Sequence, residues 1–306
     1  MAYIWLLAGF VLLVKGADFF VDGAAGIARR FHVPSVIIGL TIVALGTSLP
    51  EAAVSITASV TGSNALAISN VIGSNIFNTL VVVGASALIT PFLIQRSVIK
   101  RDLTFNIFCT VLLFCCIMTG EINRWMGIGF LVLLMAYLYV LIQDAMKNPA
   151  EKEEEEDQKE PWKLAAFLIL GGAAIMIGGD VTVDSAKTIA AQLGMSENLI
   201  GLTVVSIGTS LPELVTSITA ARKGESGLSI GNAIGSNILN ILFILGLSSA
   251  ISPLTANFFN LIDTGILIAV AILMFVLAWS SPKMTRSKGV FMIALYACFM
   301  VYTILR

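Results

Sequence analysis

The chain has 306 residues, of which 57% are hydrophobic and 12% charged, with a formal net charge of −1 and a mean hydropathy of +0.93. A soluble domain of this length needs far more surface charge, so the composition excludes one and makes the bilayer the expected solvent. The near-neutral charge points to no particular partner, and no nucleic acid is expected.

The first apolar run covers residues 3–28, and about 20 residues suffice to span hydrocarbon. Asp18 and Asp22 stand where a signal peptide needs small residues for cleavage, so the run reads as a retained span. Arg29, Arg30 and His32 close it at the membrane interface. Further runs near 35–60, 64–89, 103–119 and 125–143 complete a group of five. Then comes "KNPAEKEEEEDQKEP", the one strongly charged stretch, whose composition predicts a solvated linker. A second group of five follows near 163–190, 198–221, 227–251, 261–280 and 289–305. Cys109, Cys115, Cys116 and Cys298 all fall in apolar segments without a CxxC pair or a His/Cys cluster. They are expected to be small buried hydrophobes, not a disulfide framework or a zinc site.

The two groups are copies. Residues 38–91 align without a gap on 200–253 at a constant offset of 162, with about 30 identical pairs. Asp18 and Asp22 match Asp180 and Asp184 at the same offset. Since five is odd, the second copy must enter the membrane from the opposite face. Positive charge agrees: Arg29, Arg30, Arg96, Lys100, Arg101, the linker lysines, Arg222, Lys223, Lys283, Arg286 and Lys288 fall on one side, against Arg124 and Arg306 on the other. The side rich in Lys and Arg is cytoplasmic. The expected fold is therefore an all-α integral membrane protein of ten transmembrane helices, arranged as two inverted five-helix repeats. The repeats are 1–143 and 162–306 around an acidic linker at 144–161, with both termini outside and the linker in the cytoplasm. Inverted repeats with a site where they meet at the midplane are a common transporter architecture.

Inside each copy an apolar helix is interrupted by "GTSLPE". Pro50 lacks an N–H and its ring opposes the carbonyl of Gly46, as Pro212 opposes that of Gly208. In hydrocarbon a freed carbonyl must find a partner or line a polar cavity. Thr47 and Glu51 are four apart and Ser48 and Glu51 three apart, so on one helix they share a face. Carbonyl, hydroxyl and carboxylate oxygens at one depth are the ligands that hard cations take. The next segment carries Asn70, Ser74 and Asn78 at intervals of four, matched by Asn232, Ser236 and Asn240. Gly73 and Gly235 are expected to admit close helix approach. Ser55, Thr57, Ser59 and Ser217 read as packing residues. The intramembrane pair Glu51 and Glu213 is the functional candidate, because the basic residues Lys15 and Lys187 each have a nearer acid in Asp18 and Asp184. Asp18, Asp22, Asp180 and Asp184 could line an aqueous access path or pair with lysines.

At these residues the sequence resembles the calcium/cation antiporter superfamily, most nearly its prokaryotic sodium/calcium exchanger branch. "GTSLPE" followed by "GNAIGSNILN" is similar to the alpha-repeat of that superfamily, here present twice over nearly the whole chain. The resemblance implies an antiporter of the plasma (inner) membrane, not an enzyme, that needs no cofactor and exports Ca2+ against Na+. It implies Glu51 and Glu213 as the main calcium ligands. Thr47, Ser48, Thr209, Ser210, Ser74, Ser236, Asn78 and Asn240 then complete the calcium and sodium positions, with backbone carbonyls near Ala44 and Ser206. Some relatives carry aspartate where this chain has Asn240. The alternative is a H+/Ca2+ exchanger or a K+-dependent one, although the GNxxE type of motif of proton/calcium exchangers does not occur. A channel is disfavoured by inverted repeats, and a hydrolase using Ser48 or Ser210 lacks a His or Lys base beside either serine.

Overall fold

Where no water reaches the backbone, a helix satisfies its N–H and C=O groups internally, and nearly every described element is helical. The computed structural model describes residues 1–150, 160–195 and 206–305. Within them the helices are Ala2–Arg30 (α1), Ser35–Thr47 (α2), Leu49–Val60 (α3), Asn64–Ile89 (α4), Arg96–Met118 (α5), Arg124–Lys147 (α6), Pro161–Gln192 (α7), Ser206–Thr209 (α8), Leu211–Arg222 (α9), Ser226–Ile251 (α10), Phe258–Ser280 (α11) and Arg286–Leu305 (α12). Among the described residues eight helices are long and apolar enough to cross a bilayer. Together α2 and α3 make a ninth candidate, bent by 51° at their junction. The span expected over 198–221 runs partly through residues 196–205, outside the described residues; its described part is α8 and α9.

Polarity is inside out. Phe10, Val132, Met135, Ile169 and Leu170 are exposed, while Glu51, Glu213, Asn78 and Asn240 are buried. An outer surface this apolar matches lipid tails, not water.

Glycines set the closest approaches. A Cβ on Gly171 would lie 2.5 Å from the Phe20 nitrogen, and one on Gly178 would lie 2.6 Å from that of Leu13. Gly9 faces Gly178 and Thr182, whereas Gly23 faces Leu164 and Leu168, so α1 and α7 run antiparallel with their backbones in contact. Such contact lets dispersion hold helices together where lipid removes the hydrophobic drive. Gly235 likewise lies against Leu40 and Ala44 of α2, as expected; among the described residues nothing lies within 4 Å of a Cβ at Gly73.

Contacts between the halves come in matched pairs. Gly84 packs on Gly289 as Gly246 packs on Gly127. Strand β1 (Phe92–Leu93) pairs antiparallel with β4 (Lys283–Met284), and β2 (Glu121–Ile122) with β3 (Leu254–Thr255). The Ile94 N–H donates to the Pro282 carbonyl and the Ala256 N–H to that of Gly120, both at 2.9 Å. Adding or removing the repeat offset converts each contact into its mate, the signature of a two-fold relation within one chain.

Two expectations shift. α5 begins at Arg96, not near 103, because its charged first turns are bonded: Arg101 Nε donates to Asp102 at 2.8 Å, a second guanidinium nitrogen reaches Asp144, and Tyr137 donates to Asp102 at 2.8 Å. Of the cysteines only Cys109 and Cys116 are buried; Cys115 and Cys298 are exposed. A small apolar side chain facing lipid needs no protein cover.

Candidate cation site

The "GTSLPE" segment bends the helix and at once starts another. Ser48 leaves the helical line at φ −85° and ψ 6°, Ser210 at φ −94° and ψ 7°, and each caps the next helix with proline in its first turn. There the missing proline N–H costs nothing. Glu51 and Glu213 fall in the first turns of α3 and α9, where the free N–H ends of the helix favour a carboxylate.

The bend also re-aims the hydroxyls. The sequence places Ser48 with Glu51 on one helical face, but the structure crosses them. Ser48 Oγ donates to Glu213 Oε1 at 3.0 Å, and Ser210 Oγ donates to Glu51 Oε1 at 3.0 Å. The motif therefore assembles one joint site from both copies instead of two separate ones. Ser74 joins it through a 3.1 Å bond between its Oγ and that of Ser210. Thr47 Oγ1 donates to Asn232 Oδ1 at 2.9 Å and makes a longer 3.3 Å contact with the Ala44 carbonyl, which also accepts from the Ser48 N–H at 3.0 Å. Thr209 is buried beside Ser210, and Ser206 opens α8.

Asn70 and Asn232 hold the bends in place. Asn70 Nδ2 donates to Ser55 Oγ at 3.0 Å and to the Glu51 carbonyl at 3.5 Å; Asn232 Nδ2 donates to Ser217 Oγ at 3.0 Å and to the Glu213 carbonyl at 3.3 Å. Ser55 and Ser217 thus act as anchors for the bends beyond packing. Asn78 and Asn240 each open a wide π-type turn, Asn78–Val82 and Asn240–Leu245, a feature often found at functional sites.

What remains unbonded is telling. Glu51 Oε2, Glu213 Oε2, Asn78 Oδ1, Asn240 Oδ1 and Ser236 Oγ are all buried with no hydrogen-bond partner. Leaving a polar atom so costs about 1–3 kcal/mol each, more for a charged one. Both glutamates are 0% exposed, and like charges brought together in a buried site repel. Carboxylate, amide and hydroxyl oxygens without other partners fit a hard cation. Two negative charges balance one divalent or two monovalent ions.

The peripheral acids behave differently. Lys223 holds Asp22 at 2.8 Å and Asp18 at 3.7 Å, while Lys187 holds Asp184 at 3.1 Å. Three of the four acids that match at the repeat offset are thus in ion pairs. Sequence reasoning missed Asn75, Asn237 and Thr79. All three are buried, and they tie α4 to α10. The signal for the asparagines was available, since both follow the conserved-offset serines Ser74 and Ser236 in identical "GSN" triplets.

Residues 1–143 and 163–305 match the protein family described as "Sodium/calcium exchanger protein". The chain is 41% identical to the putative antiporter CaxA of Alkalimonas amylolytica, over 83% of this chain and 82% of that protein. It is 33% identical to the sodium/calcium exchanger MaX1 of Methanosarcina acetivorans, over 98% of this chain and 97% of the other. Among solved structures, the sodium-calcium exchanger NCX_Mj superposes with a TM-score of 0.86 at 33% identity, covering 98% of this chain and 97% of that one.

Proposed function

The chain belongs to the sodium/calcium exchanger family, membrane antiporters and not enzymes, and from that premise we propose that it exchanges Ca2+ for Na+ by alternating access and exports calcium. The observation that carries this reading is the crossed pair of serine–glutamate bonds, which leaves one oxygen of each fully buried carboxylate without a partner. Glu51 and Glu213 bind calcium. Thr47, Ser48, Ser74, Asn78, Thr209, Ser210, Ser236 and Asn240 complete the calcium and sodium positions, with backbone carbonyls near Ala44 and Ser206. The Ala44 carbonyl already accepts from Ser48 and faces Thr47, so its part requires the Thr47 hydroxyl to turn away.

The same reading takes the protein as ten spans in two inverted repeats, 1–143 and 162–306, joined by a cytoplasmic linker at 144–161 in the plasma (inner) membrane. Antiparallel packing of the matched helices α1 and α7 supports the inversion. So do the strand pairs, since β1 with β4 and β2 with β3 each join loops that the charge rule assigns to one membrane face.

The test is calcium uptake into proteoliposomes under an imposed sodium gradient, compared with an imposed pH gradient. Uptake driven by sodium is expected. Uptake driven by the pH gradient alone would make the proton the counter-ion, and uptake under neither would refute exchange.

A further inference from the structure

The asparagines between the two halves form a chain whose sense is fixed at one end. Asn75 Nδ2 donates to the backbone carbonyl of Asn237 at 3.0 Å. A carbonyl can only accept, so Asn75 must present its NH2 group there and its oxygen on the other side. Asn240 Nδ2 donates to that oxygen at 2.9 Å. Asn240 is thereby compelled to turn its own Oδ1 the opposite way, where it is buried without a partner.

The mirror arrangement is broken. Thr79 Oγ1 donates to the Asn75 carbonyl at 2.9 Å and so must accept from Asn237 Nδ2, which it does at 2.8 Å. The hydroxyl stands between Asn237 and the carbonyl that the two-fold relation would give it. The matched residue Ile241 has no hydroxyl, so no such insertion occurs on the other side. Asn78, the mate of Asn240, is left with neither Oδ1 nor Nδ2 bonded.

We propose that Asn75 is a positioning residue that locks Asn240 as a permanent oxygen ligand for sodium, while Thr79 leaves Asn78 free to present either end of its amide. This rests on the exchange reading above. A neutral amide oxygen matters most to an ion that lacks two carboxylates of its own. A site built from a duplicated motif thus offers one fixed and one adjustable amide.

The experiment measures calcium binding to the purified full chain and the sodium concentration that displaces half of it, for wild type, N75A, N240D and the double variant. With Asn75 removed, Asn240 can turn its NH2 group toward the ion, and the sodium requirement should rise roughly tenfold, as for loss of one ligand bond. In the N240D background the carboxylate has no wrong end, and N75A removes the oxygen that the aspartate would otherwise face at the place where Asn240 donates. There N75A should leave the sodium requirement unchanged or lower it. An equal rise in both backgrounds, as general structural damage would produce, overturns the proposal, and so does the absence of any rise in N75A. Should N75A fail to fold, a crystal structure of the sodium-loaded wild-type protein decides: Asn240 Oδ1 on an ion with its amide on Asn75 is expected, and a side chain turned away refutes it. If sodium fails to displace calcium from the wild type, the exchange reading falls; the orientation of Asn240 in a calcium-loaded crystal then still tests the lock.

Discussion

Replacing Glu213 with glutamine keeps the shape of the side chain and removes one charge. Glu213 is 0% exposed, and its Oε1 accepts from Ser48 Oγ at 3.0 Å, a bond that an amide oxygen can keep. On the proposed ligand scheme, what is lost is the ionic half of a buried charge pair with calcium. Removing one partner of a buried pair costs about 3–5 kcal/mol, so calcium affinity should fall about 10²- to 10⁴-fold. The empty protein should not suffer: glutamate at 213 repels Glu51, and a neutral amide relieves this. The assay is thermal unfolding in detergent with and without calcium, run beside calcium flux. Wild type should gain about 2.7 kcal/mol at a calcium concentration 100 times its Kd, a shift of several degrees. E213Q should show the wild-type melting point without calcium, or a higher one, and at the same calcium concentration a gain of only about 0.4 kcal/mol or less. A calcium-dependent shift of wild-type size, with wild-type flux, would refute the assignment of Glu213 as a calcium ligand.

Ser210→Ala removes a hydroxyl bonded to both Glu51 and Ser74; it should raise the sodium requirement several-fold and change calcium affinity less, and the reverse order would oppose the ligand scheme. Because protons compete with cations for carboxylate oxygens, apparent calcium affinity should weaken as pH falls and recover with excess calcium. An affinity indifferent to pH would show that the two glutamates do not share one site. Ser63→Cys and Arg222→Cys, each in a background without Cys115 and Cys298, should be labelled by an impermeant thiol reagent from outside and from inside respectively. Labelling of both from one face would end the inverted-repeat reading. Arg222 serves better than its neighbour Lys223, which holds Asp22 at 2.8 Å.

The apolar runs were legible because bilayer thickness dictates their length, and the site residues were legible because polar groups in hydrocarbon need a reason. Pro50 and Pro212 announced the bends. Their consequence was not legible, since a single chain shows which residues share a helix face only three or four positions apart. Ser48 and Glu213 are 165 residues apart and Ser210 and Glu51 159 apart; nothing local predicts that the bend turns each serine toward the other copy. The charged start of α5 was misread for the same reason. Arg101 near an apolar run signals a boundary until Asp144, 43 residues on, is known to lie beside it.

Duplication makes the two halves dependent on each other chemically as well as sterically. Within one half, Glu51 would be buried beside a bent helix whose nearest hydroxyl, Ser48, points away to Glu213. Its own Oε1 is satisfied only by Ser210 of the other half. A half-chain on its own would lack that hydroxyl donor. Joining the halves supplies one donor to each carboxylate and leaves one oxygen of each unspent, so the bonds that stabilise the fold stop one short of completing the site. A cation completes it. Each half contributes the hydroxyl for the other's glutamate, so under the proposed alternating access a displacement of one half relative to the other would strain those bonds. On the proposed exchange reading, Ser48, Glu51, Ser210 and Glu213 are therefore where conformational change and ion binding would meet.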